Sequence, residues 1–161
     1  MTLIRLTVPG LLACLVLIAG GNPLMASGNS GGTQAQYVGG TISEIPAGCG
    51  GRVQAVDDEY FVFSSKSARW RVPYGKINLL EYGQKVDRRY IAAVLISPLF
   101  LLAKKRQHFL TVGYSDDENR QQAMVFKVSK SDIRTVLVIL EARTGRKVEF
   151  QDDDARKGGK G

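Results

Sequence analysis

Histidine and cysteine are nearly missing: the 161-residue chain has one histidine, His108, and two cysteines, Cys14 and Cys49. Nucleophilic triads of the Ser-His-Asp or Cys-His kind would therefore all have to be built on His108. No C-x-x-C, H-x-x-x-H or H-E-x-x-H spacing occurs, which removes the usual zinc signatures. The one G-x-S-x-G spacing, Gly28 to Gly32, lies in a Gly/Ser-rich linker and lacks the strand-turn-helix context of a hydrolase elbow. Carboxylates do gather at Asp116-Asp117-Glu118 and at Asp152 to Asp154, but without the alternating ligands and central glycine of a calcium loop. The pattern points away from an enzyme and toward a chain with no metal or cofactor, in which His108 is a strand-end residue next to Lys104, Lys105 and Arg106.

Long apolar runs are lacking too. The stretch "RRYIAAVLISPLFLLAKKR" carries fourteen consecutive residues without charge, Tyr90 to Ala103, between basic flanks. At 1.5 Å per residue a helix of that length reaches about 21 Å, short of the roughly 30 Å of bilayer hydrocarbon. Pro98 interrupts it further. Two readings remain. In the preferred one, Tyr90 to Ile96 is a buried strand and "SPLFLL" covers the core. In the other, Leu99, Phe100, Leu101 and Leu102 dip into a bilayer while Arg88, Arg89, Lys104, Lys105 and Arg106 meet anionic headgroups.

What is present at the start is an export signal: Arg5, then Leu11 to Ile18, then small residues, with cleavage expected after Ala26. The alternative is a retained N-terminal anchor. Cleavage would leave Cys49 alone, in the turn Pro46-Ala47-Gly48-Cys49-Gly50-Gly51, where it is expected to do no chemistry. The net charge of +7 suits an anionic partner, and for an exported chain a membrane surface or envelope component comes before nucleic acid.

Residues 27–36, "SGNSGGTQAQ", read as a flexible linker, and 151–161 as a disordered polar tail. The folded unit is expected over 37–150. Within it, aromatic and β-branched segments alternate with turn residues: Tyr37 to Ile45, Gly51 to Val56, Glu59 to Ser64, Ala68 to Tyr74 and Ile77 to Tyr82. His108 to Tyr114 and Ala123 to Val128 flank the polar "SDDENRQQ" and read as a hairpin. One amphipathic helix is expected over 131–144, capped by Ser129 or Ser131 and stopped by Gly145, with Ile133, Val136, Leu137 and Leu140 on its apolar face.

The segment "WRVPYGKINLLEYGQKV", followed by "KKRQHFLTVGY", "AMVFKV" and the helix "SDIRTVLVILEARTG", resembles the bacterial pleckstrin-homology-like and GRAM-like domains. The resemblance covers about Tyr37 to Val148 and rests on pattern and order. It implies a mainly β, α+β fold: a small antiparallel barrel or sandwich of about seven strands closed by a C-terminal helix. It names no ligand, since such folds serve many purposes. The expectation is thus an exported, non-enzymatic binding or scaffolding module at the cell envelope, with peripheral binding to anionic lipid as the alternative.

Overall fold

A computed structural model of the chain describes residues 31–85, 95–96, 107–151 and 153–160. The expected signal segment, 1–26, lies outside the described residues. So do Arg88, Arg89, Leu99, Phe100, Leu101, Lys104, Lys105 and Arg106.

The chain forms a mainly β domain. Its strands are β1 (Thr33–Gly40), β2 (Gly50–Gln54), β3 (Tyr60–Ser65), β4 (Arg69–Pro73), β5 (Ile77–Gly83), β6 (Leu95–Ile96), β7 (His108–Ser115), β8 (Gln121–Val128) and β9 (Glu149–Phe150). The helices are α1 (Ile133–Thr144) and α2 (Asp153–Lys160). The sheet runs β4-β3-β2-β1-β8-β7-β5-β9, and β6 pairs with β1 at Gly39 and Gly40. It is not closed: β4 and β9 are the edges of this path. It is also mixed, because β9 joins β5 in parallel.

The sheet curls around one core. A single buried cluster takes Tyr37 from β1, Phe61 and Phe63 from β3, Leu80 from β5, Leu110 from β7, Phe126 from β8 and Leu140 from α1. A smaller cluster, Val38, Phe109 and Val125, occupies the opposite face of the central strands. Part of the apolar run therefore enters the sheet as β6, whereas the orientation of Phe100 lies outside the described residues.

The helix α1 buries Ile133, Val136, Leu137 and Leu140, as the period of 3.6 requires, and leaves Val138 exposed. Gly145 ends it in the left-handed region at φ 68°, with its N–H on Glu141 O at 2.9 Å. The serine cap does not form. Asp132 stands at the N-cap without a side-chain cap bond, and Ser129 instead accepts the Asp132 N–H at its hydroxyl and the Ile133 N–H at its carbonyl.

Three expectations need correction. The linker ends earlier than expected, because Thr33 to Gln36 pair with Val53 to Gly50, and Ala35 and Gln36 also pair with β8. Backbone hydrogen bonds need no apolar side chain, so a Gln/Ala/Thr segment can be a strand once its neighbours are in place. The tail is not disordered over 153–160. It forms α2, with Asp153 and Asp154 in the first turn, where the helix dipole favours carboxylates, and with Ala155 fully buried in the core. Finally, β5 does not alternate as a plain strand. A register shift between Ile77 and Leu79 puts Ile77, Leu80 and Tyr82 together in the core, and Glu81 is buried on the other face opposite Thr111.

Candidate functional site

Two recesses deserve a chemical reading, and they differ in charge. The first is a cleft of about 480 Å³ beside the end of β5 and the start of β7. It is lined by Gln84, His108, Lys130, Arg134, Asp154, Lys157 and Gly158. Its wall is built by α2, held in place by Gln84 Nε2 donating to Asp154 O at 3.1 Å and Arg134 Nε donating to Gly158 O at 3.3 Å.

His108 is half-buried there. Its Nδ1 shares a 2.5 Å hydrogen bond with the Tyr82 hydroxyl, and the two rings stack at 5.9 Å with 8° between planes. Burial lowers the imidazole pKa below its ordinary 6.5, and the Lys130 ammonium lowers it further. The ring is accordingly neutral at pH 7. When Tyr82 donates to Nδ1, the neutral ring carries its proton on Nε2 and offers a donor. Among the described residues, Lys130, Arg134 and Lys157 share the cleft with one carboxylate, Asp154, an excess of two positive charges. Exposed cations of this kind attract anions at modest strength per charge, and several converging on one concavity make a site.

The second recess, about 510 Å³, lies where the β1–β2 loop meets β4 and the β7–β8 loop. Trp70 and Tyr114 line it, joined by a 3.2 Å hydrogen bond from the indole Nε1 to the phenol oxygen. Its rim is organised by Asp116. Oδ1 of that residue accepts the backbone N–H groups of Glu118 and Arg120, and Oδ2 accepts the side chains of Arg120 and Gln122 at 2.9 Å each. Asn119 supports the tight loop with φ 59°.

Desolvation would raise the Asp116 pKa, but the Arg120 N–H, the Gln122 amide, the Arg120 guanidinium and the Glu118 N–H together bring it down to about 2 from 3.8. A depressed folded-state pKa stabilises the protein above the unfolded value, and that contribution disappears as pH falls from about 4 to about 2. Melting temperature measured against pH should show wild type above Asp116→Asn at pH 6, the gap closing below pH 2. A constant gap across that range would mean the carboxylate charge is not what orders the loop.

The residues expected from sequence to contact a lipid or partner, Arg88, Arg89, Leu99, Phe100, Leu101, Lys104, Lys105 and Arg106, lie outside the described residues. His108 is brought into the cleft, where it does more than end a strand. Lys130, Arg134 and Lys157 were not singled out by sequence reading; Lys130 and Arg134, four apart, were the available signal, but Lys157 sat in a tail read as disordered. Cys49 is a free, half-buried thiol in the β1–β2 turn, packed against the core. Among the described residues no group of three or more His, Cys, Asp or Glu could hold a metal ion, and no helix is long and apolar enough to cross a membrane. No protein-family model and no curated protein matches this chain.

Proposed function

We propose that the protein is an exported, non-enzymatic binding module of the cell envelope, of pleckstrin-homology-like type, that holds an anionic component in the cleft of His108, Lys130, Arg134 and Lys157. The observation that carries the reading is the convergence of these four residues, contributed by β7, the β8–α1 connection, α1 and α2, with Asp154 the one carboxylate among the described lining residues. The strand order supports the fold type: a meander β1 to β4, then β5, β7 and β8, with β8 returning to pair with β1 before α1 closes the core.

One observation favours anionic lipid as the component. Gln84 and His108, on the cleft wall, lie on either side of the segment that contains the apolar run and its basic flanks. A basic residue near an anionic surface contributes about 1 kcal/mol, and apolar insertion would add to it.

The test is binding of the protein to phosphatidylglycerol vesicles, to phosphatidylcholine vesicles and to soluble polyphosphate. The expected result is salt-sensitive binding to both anionic probes and not to the neutral vesicles. Combined Lys130→Gln, Arg134→Gln and Lys157→Gln substitution should weaken it roughly hundredfold, from about 1 kcal/mol for each charge removed. Phe100→Asp separates lipid insertion from charge alone: loss on vesicles with polyphosphate binding kept favours the lipid reading. Unchanged affinity in the triple variant would sink the cleft as the site.

A further inference from the structure

We infer that the recess at Trp70 is a second binding site, and that its ligand is a neutral carbohydrate, roughly two or three sugar units long for a recess of this size. The two recesses differ in what they can attract. The cleft at His108 has a positive excess, whereas the lining at Trp70 balances Arg71, Lys76 and Arg120 against Glu44, Asp116 and Asp117. A charged ligand of either sign gains little net attraction from a described lining whose three cations and three carboxylates sum to zero.

Two of the polar groups, Arg71 and Asp116, are already fixed. Arg71 sits 4.1 Å from the Tyr60 ring centre and 3.9 Å from the Asp57 carboxylate, and Asp116 is held by its four donors. Asp117 and Lys76 have no side-chain partner among the described residues, so an acceptor and a donor remain for a ligand. The indole N–H is committed to Tyr114, and Trp70 is half-buried against the core, so what the ring offers the recess is apolar surface. An apolar aromatic surface with a free donor and a free acceptor on its rim, in a described lining of zero net charge, suits a pyranose. Such a ring has one face of C–H groups and an edge of hydroxyls that both donate and accept. Rigid polar groups add specificity because little ordering is needed on binding.

Trp70 is the only tryptophan in the chain, so its fluorescence reports from this recess alone. The full chain is titrated with cellotriose, maltotriose and chitotriose, and with trigalacturonate as the charged counterpart. The expected result is a saturable emission change with at least one neutral trisaccharide and a weaker one with trigalacturonate. Calorimetry with that sugar should show affinity reduced at least about tenfold in Trp70→Leu and largely kept in Trp70→Phe, which preserves an aromatic face. Asp117→Ala, on the exposed rim, provides a variant that folds independently of Trp70 packing and should weaken binding several-fold. Lys130→Glu with Arg134→Glu should leave it unchanged, which separates this site from the cationic cleft. Absence of an emission change with all three neutral sugars, a stronger response to trigalacturonate, or wild-type sugar affinity in both Trp70→Leu and Asp117→Ala would overturn the inference.

Discussion

Replacing Phe126 by alanine should cost about 3–5 kcal/mol of folding stability, among the largest losses any single truncation in this chain would produce. Phe126 is completely buried on β8. Its ring lies 5.0 Å from Phe63, 5.8 Å from Phe61 and 5.8 Å from Tyr37, mostly tilted or edge-on. These partners come from β1 and β3, so the ring joins the two halves of the curled sheet across the core. Truncation removes the apolar contact and leaves a cavity that strands fixed by backbone pairing cannot easily close. Denaturant unfolding of Phe126→Ala and Phe126→Leu checks it. Leucine should recover a good part of the loss, and an alanine variant within 1 kcal/mol of wild type would refute the arrangement.

Gly40→Ala should be nearly as damaging, from the opposite cause. Gly40 ends β1 with β8 on one side and β6 on the other. A Cβ at this position would run into the carbonyl oxygen of Ala123 and the hydroxyl of Tyr37, and would stand 3.2 Å from Met124 Cα. Two of those neighbours are backbone in a paired strand, so the strand itself would have to shift, which typically costs 1–3 kcal/mol. The Tyr37 hydroxyl donates to Ile42 O at 3.3 Å, and burial already pushes its pKa well above the usual value. Displacing it would strand a buried polar group for about 1–3 kcal/mol more. Gly75→Ala is the matched control, since nothing lies within 4 Å of a Cβ there. Melting curves of the two variants should differ by many degrees; equal curves would mean that β1 and β8 are not packed as described.

The strands β3, β4, β7 and β8 and the helix α1 were legible in the sequence because each carries its own period. Ile133, Val136, Leu137 and Leu140 announce a helical face, and "HFLTVGY" with "AMVFKV" announces a hairpin. The first half of β1 was not legible. Thr33, Gln34 and Gln36 carry no apolar pattern, and their place in the sheet comes from the strands that hydrogen-bond to them. The tail misled for a similar reason: among the residues of 153–159 only Ala155 is buried, and one small residue makes no period. In β5 the pattern was present but its phase was not, because the irregularity between Ile77 and Leu79 exchanges the two faces.

Local chemistry in the chain was sufficient to indicate a mainly β domain with an amphipathic helix after its strands, a scarcity of His and Cys, and an excess of positive charge. Tertiary pairing decided that Gln84, His108, Lys130, Arg134 and Lys157 share one cleft, and that Trp70 meets Tyr114 forty-four positions away. The reason is physical. Hydrophobic period records which side of a segment avoids water, and that is fixed residue by residue. Which segments then become neighbours depends on strand register, on the β5 irregularity and on the docking of α2, each of them a contact between distant parts of the chain.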